Sequence, residues 1–577
     1  MEAEPKKKPI ASRVSGQRSR AGCSTCKRRR VKCDEGYPHC QRCLKAHLQC
    51  EGYSRAPTTN RSSLPSTGQT RSIRRIILPK SSSLARPTIS GPSSVLPGET
   101  EVENRYLRYF HQETTSGFQS AWDWTLWNRL VMQGCHNEPF IRYAVVAIGA
   151  LHKSLRTLSP TGQKPQPSHD AEAMAKLHRE FAYLTYGKSI KKMQIAIDAS
   201  ADYGPRYALI ACLLIVCFES HTGNRYKAIT HTQYGLQILQ QWNSQSKVSR
   251  RETTSAESPK PMDVEDDIIE AFRNLDIQTI TCTDHRSLQD HERMMKDDDL
   301  VVHSMCSHFE NLDTARIYWN VIMRRSVHFL ATTWHRTDPD LLTRPFRIRI
   351  PGSVIVTVGD TIHTTSVNVD DVVRSGERKH SAETSRWLAA FEPIYLRTRR
   401  SGKGSLREYV VGTMLQIQAV SAKITLAGVV FTKETLYDDY LPDFKTIVRL
   451  SQDVATVCCS RPDADFWIGS FQTDLGLIVP LFLVLIRCRD AVLRRQAIEI
   501  LKKWHVECWW DPLLIIAVGR FIIDVEEESA NGDGTIPEEA RAILTAKQHC
   551  PPDRMMVLQC VQRTKDGLKW TERTVKW

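Results

Sequence analysis

The chain has 577 residues, 41% apolar and 25% charged, a globular balance with room for several domains and at least one sizeable core. Its net charge of +15 is concentrated: residues 1–100 hold 20 Lys and Arg against 6 Asp and Glu, a net of +14 that leaves +1 for the rest. The first twenty residues lack the apolar run of a secretory leader, and the apolar stretches 208–218 and 475–486 fall short of the ~20 residues of a bilayer-spanning helix, so a soluble, intracellular protein without a membrane partner is expected.

Residues 1–20 are expected to be a disordered basic segment, with Lys6, Lys7, Lys8, Arg18 and Arg20 as a candidate import signal. Next comes CSTCKRRRVKCDEGYPHCQRCLKAHLQC, residues 23–50, holding Cys23, Cys26, Cys33, Cys40, Cys43 and Cys50. The spacing is C-x2-C-x6-C twice over, and a shift of 17 residues lays the first triplet on the second. A C-x2-C pair sets two thiolates on one tetrahedral metal. Two tetrahedral zinc ions need eight ligand positions, so six thiolates suffice only if two are shared, and the repeat nominates Cys23 and Cys40. Such a cluster has no open coordination position and is structural. A disulfide-rich miniprotein is the other reading of the spacing. It conflicts with the absent leader and with eleven further cysteines that form no C-x2-C pair.

The halves differ in charge. Lys27, Arg28, Arg29, Arg30 and Lys32 lie between Cys26 and Cys33, whereas only Lys45 lies between Cys43 and Cys50. A short helix after Cys26 would fan these side chains by ~100° each, some toward guanine edges and the rest toward phosphates. Pro38 stiffens the loop between the halves, and Asp34 stands where it can cap backbone amides. The motif resembles the fungal zinc-cluster (Zn2Cys6) transcription factors: C-x2-C, a basic run, a proline-containing loop and a second C-x2-C-x6-C. The resemblance implies two Zn2+ per chain, a G/C-rich, CGG-like element read in the major groove, and Arg30 at the family's main base-reading position. It also implies a nuclear regulator of RNA polymerase II transcription with double-stranded DNA, coregulators and import receptors as partners, many relatives controlling metabolic gene clusters. A chromatin-associated corepressor whose cluster reads no sequence is the alternative.

The cluster domain is placed at 21–53. Residues 54–100 carry 26 Ser, Thr, Pro or Gly in 47 positions with one acidic residue, a flexible linker without a visible leucine heptad, so a homodimer is left open. From 101 to 577 helical periodicity dominates: 141–151, 171–199, 207–219, 226–242, 268–278, 313–331, 406–427, 444–458 and 491–505 read as helices. The expected fold is therefore mainly α: a small cluster of two short helices and loops, then a large all-α domain resembling the fungal transcription factor regulatory domain. Residues 346–369 alternate like strands and stand outside that pattern. YDDYLPDF, 437–444, mixes acids with aromatics as activation segments do, but a helix start with solvated acids is the favoured reading, and His291 and His303 read as surface histidines. The nucleotide-binding, zinc-protease and serine-hydrolase signatures are absent, so no catalytic residue is expected.

Overall fold

The computed structural model describes residues 23–29, 31–36, 39–51, 97–115, 125–158, 168–199, 204–247, 263–282, 286–296, 298–334, 354–357, 369–400, 406–459, 475–504, 510–550 and 554–577. The chain divides into two compact units, residues 1–91 and 92–577. The expected 1–20 tail, nearly all of the linker, Arg30 and Pro38 lie outside the described residues.

Among its described residues the first unit has two short helices, α1 (Ser24–Arg28) and α2 (Gln41–Leu44). Its buried cluster consists of the six cysteines with Val31 packed against them. So small an apolar core cannot offset the backbone entropy of ordering the segment; the sulfurs must be tied together by something stronger.

The second unit is mainly α, as the periodicity implies. The expected helices appear as Pro139–Leu158, His169–Ala199, Pro205–His221, Arg225–Lys247, Asp266–Cys282, Leu312–Trp334, Leu406–Gly428, Leu441–Cys459 and Ala491–Lys502. Their ends follow local chemistry. Pro205 opens its helix at the first turn, where the missing N–H costs nothing. The Asp490 carboxylate accepts from the amides of Val492 and Leu493, the usual N-cap arrangement. Trp127, Phe218, Phe272 and Phe444 anchor the larger core; Trp319, Trp387 and Phe391 anchor a second. Both indoles of that second core are satisfied: Trp319 Nε1 donates to Gln418 Oε1 at 2.9 Å and Trp387 Nε1 to Ala315 O at 2.9 Å. Leu406–Gly428 is long and apolar enough to cross a bilayer by length and composition, but 67% of its apolar window is buried within the fold.

The body is not wholly α. An antiparallel sheet in the order β1-β2-β3-β4 joins β1 (Val354–Thr357) to β2 (Ala542–Cys550), β3 (Met555–Thr564) and β4 (Gly567–Lys576). The strand-like character of 346–369 thus falls on β1, which pairs from Val354↔His549 to Thr357↔Ala546; the neighbouring positions 346–353 and 358–368 lie outside the described residues. β3 is the central buried strand, with Val557, Leu558, Cys560 and Val561 all inaccessible. β3 and β4 meet through the pair Thr564↔Gly567, and Gly567 adopts φ +118°, a conformation glycine takes without strain.

His303 is exposed as expected, but His291 is not a surface residue. It is 1% exposed on the helix Leu288–Lys296, which packs on Leu312–Trp334 and brings His291 Nδ1 to 3.0 Å from His328 Nδ1. YDDYLPDF does straddle a helix start, since Leu441–Cys459 begins inside it. Asp438 and Asp439 are exposed as expected, and Asp438 also binds the buried Arg541 guanidinium at 2.6 and 2.9 Å.

Candidate metal centre and nucleic-acid interface

The sequence repeat of the cluster is repeated in its geometry. Cys23 is the N-cap of α1 and Cys40 the N-cap of α2, both with extended backbone. Each sulfur accepts a hydrogen bond from the amide three residues on, Cys26 N and Cys43 N, at 3.4 Å in both halves. The cap aims the first sulfur of each C-x2-C back over its helix start, and the turn brings the second sulfur alongside it.

The two halves then close on each other. Cys23 Sγ lies 3.5 Å from Cys40 Sγ and 3.8 Å from Cys43 Sγ; Cys26 Sγ lies 3.6 Å from Cys40 Sγ and 3.7 Å from Cys43 Sγ. Four sulfurs at the ~2.3 Å of a zinc–thiolate bond stand about 3.8 Å apart in a tetrahedron. The donor set therefore fits zinc in spacing as well as in kind. Cys40 also belongs to a second group of ligand atoms with Cys33 and Asp34, mutually within 4.8 Å. Cys33 Sγ accepts from Cys23 N and Glu35 N at 3.4 Å, and Cys50 is buried in the same cluster. Burial pushes the Cys23 thiol up to about 12 and raises Cys26 as well, so thiolates form here by exchanging protons for metal.

Two polar ties hold the halves in register without sulfur. The Asp34 carboxylate accepts from Gln41 N and Arg42 N, each at 2.9 Å, satisfying amides at the start of α2. Thr25 is buried; its hydroxyl donates to Gln49 O at 3.2 Å and accepts from Glu51 N at 3.0 Å. The capping role expected of Asp34 is the one it plays. Thr25 went unnoticed, since nothing in S-T-C marks a hydroxyl that will be enclosed.

Of the basic run, Lys27, Arg28, Arg29 and Lys32 are all exposed, and Arg30 lies outside the described residues. Lys27 and Arg28 form the last turn of α1, and Arg28 pairs with Glu51. Both partners are exposed, so this pair contributes little and leaves the guanidinium available to an anion. The described basic side chains thus project from the outer surface of a unit whose interior is sulfur.

Residues 21–60 match the fungal Zn(2)-Cys(6) binuclear cluster domain and residues 105–299 the fungal specific transcription factor domain. The cluster-specific transcription regulator of aspercryptin biosynthesis from Emericella nidulans is 32% identical over 237 residues, covering 40% of this chain and 36% of its own. A Zn(2)-C6 fungal-type transcription factor of Aspergillus fumigatus is 31% identical over 153 residues, 26% of this chain and 36% of its own. Sterol uptake control protein 2 of Candida albicans is 52% identical over 62 residues, 10% of this chain and 9% of its own. The chain thus spans little more than a third, or less, of the length of these relatives. No solved structure matches. Domains of this type bind two zinc ions, which the sulfur geometry fits, and the chain carries a fungal Zn(2)-Cys(6) binuclear cluster domain followed by a fungal specific transcription factor domain.

Proposed function

We propose that this protein is a sequence-specific DNA-binding regulator of RNA polymerase II transcription acting in the nucleus. The observation that carries the reading is the pairing of a closed, buried sulfur cluster with an exposed basic edge on α1. Cys23, Cys26, Cys33, Cys40, Cys43 and Cys50 hold two zinc ions, with Cys23 and Cys40 shared. Their support is the 17-residue repeat, the 3.5 Å Sγ separation and the membership of Cys40 in both ligand groups. The zinc ions supply rigidity, not reactivity. Lys27, Arg28, Arg29, Arg30 and Lys32 form the DNA face, with Arg30 hydrogen-bonding guanine O6 and N7 and the others gripping phosphates. The helical body recruits or restrains and carries no catalytic site. The similarity to a regulator specific to the aspercryptin biosynthesis cluster supports control of a metabolic gene cluster here too.

The test is selection of bound sites from random duplexes by the zinc-loaded full chain. A G/C-rich, CGG-like element should emerge, and Arg30→Ala should weaken and relax its reading by ~1–3 kcal/mol. Affinity should fall by ~0.9 log units per log unit of salt for each phosphate neutralised. Equal affinity for every duplex, with the salt slope intact, overturns the sequence-specific reading in favour of a corepressor held to chromatin by charge.

A further inference from the structure

Three helices of the body, Leu312–Trp334, Leu406–Gly428 and Ile478–Arg487, leave a cavity of about 130 Å³ between them. It lies along a seam between cores. On one side Val327, Leu330 and Leu426 pack into two small clusters. On the other, Val479, Phe482 and Leu483 pack into the largest core. Trp510 closes that second side, its ring 6.4 Å from that of Phe482.

Most polar groups on its wall are taken up within the fold. Gln418 accepts from Trp319 Nε1 and donates to Leu475 O. Ser421 Oγ and Thr425 Oγ1 donate back to Ile417 O and Ser421 O, both at 2.8 Å. Arg487, the charged side chain on the wall, is held by Glu434 at 2.6 Å. Two groups differ. Ser326 Oγ and Trp510 Nε1 have no hydrogen-bond partner among the described residues, although Ser326 is 2% exposed and Trp510 6%. An indole N–H can only donate, so what Trp510 lacks is an acceptor.

We propose that this cavity binds a small uncharged molecule, a single ring bearing one carbonyl oxygen, with the ring among the aliphatic side chains and the oxygen accepting from Trp510 Nε1. Volume sets the size, since an apolar cavity of about 150 Å³ takes up benzene. Charge sets the class. With Arg487 already neutralised, neither an anion nor a cation finds a free counter-charge among the described wall residues, and burying an unpaired charge is costly. An occupant would join the large core to the two small clusters, so binding registers as stability of the helical body.

Thermal unfolding of the full zinc-loaded chain, followed by circular dichroism with acetophenone, α-methylstyrene or benzoate present, tests this. Acetophenone should raise the midpoint saturably. α-Methylstyrene, the same shape without the oxygen, should bind up to about tenfold more weakly, the worth of one hydrogen bond. Benzoate at the same concentrations should leave the midpoint unmoved. Ala422→Met, which extends a side chain of the wall into the space, should abolish both shifts. Trp510→Phe gives up no hydrogen bond made in the fold, so it keeps the test open should Ala422→Met prove unstable, and it should erase the preference for acetophenone. Absence of a saturable acetophenone shift overturns the proposal, as does a shift that survives Ala422→Met. An equal response to benzoate overturns the uncharged class, and a preference that survives Trp510→Phe overturns the hydrogen bond. The readout is stability, independent of whether the cluster reads DNA.

Discussion

Cys23 Sγ and Cys40 Sγ lie 3.5 Å apart, and each caps the helix that begins its own half of the cluster. A shared thiolate binds both metal ions, whereas an outer one binds a single ion. Cys23→Ser and Cys40→Ser should therefore empty both positions, and Cys50→Ser should lower the zinc content by about one ion. Elemental analysis of the purified full-length variants separates these outcomes. Equal loss from all three would mean that the shared pair has been misassigned.

The Asp34 carboxylate has no sulfur to offer, yet it orients the start of α2 through Gln41 N and Arg42 N. The amide of Arg42, helped by that of Gln41, holds its pKa below the usual value, so the cap is complete above the ordinary carboxylate range and is lost only as pH falls through the lowered value. Outer groups that position metal ligands commonly matter by about 10–100-fold in metal affinity. Asp34→Ala should weaken zinc retention toward the lower end of that range in competition with a chelator, and Asp34→Asn, which keeps one acceptor, should weaken it less.

The cluster was legible because its chemistry is written in spacing: a tetrahedral metal demands C-x2-C, and nothing in the packing of the rest of the chain can alter that. The helices were legible wherever one face is aliphatic. Asp371–Arg400 escaped notice because its buried face includes His380, Thr384 and Thr398 beside Trp387 and Phe391, a helical spacing disguised as polar sequence, with Pro393 inside it. β3 escaped for the opposite reason. Buried on both faces, it has no alternation to find, although the Asp566–Gly567 step after it is a turn signal. His291 looked solvated because its partners, His328 and the groups around it, are distant in sequence and unreadable until Leu288–Lys296 docks.

A buried ion network ties the sheet to the helices. Glu526 sits between Arg489 at 2.8 Å and Arg494 at 2.6 Å, and also accepts from Ala542 N at the head of β2 at 2.9 Å. Glu434 binds Arg487 at 2.6 Å and Arg489 at 3.1 Å. Burial opposes the Glu526 charge, but Arg489 and Arg494 outweigh it and lower its pKa. Neutralising one acid strands cations in the interior, which typically costs ~3–5 kcal/mol. Glu526→Gln should lower the denaturant midpoint by a corresponding amount, with the loss registered by circular dichroism of the full chain.

The His291–His328 contact makes a pH prediction whose sign can be worked out. Asp276 is fully buried between Arg286 at 2.7 Å and Arg324 at 2.9 Å, with His328 Nε2 at 3.5 Å. Burial alone would raise the Asp276 pKa, but Arg286, His328 and Arg324 together hold it well below the carboxylate range. With that carboxylate already claimed by two guanidinium groups, burial wins at His328 and lowers its pKa from 6.5 to about 4. Across the 3.0 Å contact with His291, one Nδ1 must donate and the other accept, which two protonated rings cannot do. An unfolded chain therefore binds a proton at His328 below about 6.5 while the folded chain refuses it until about 4, so stability falls as pH drops through that window. The ionised Asp276 adds a loss in the same direction below the usual carboxylate pKa. His328→Gln removes the titrating ring and should flatten the fall in unfolding free energy between about pH 6.5 and 4, measured by denaturant titration at several pH values. An unchanged slope in that variant would assign the pH dependence to other groups.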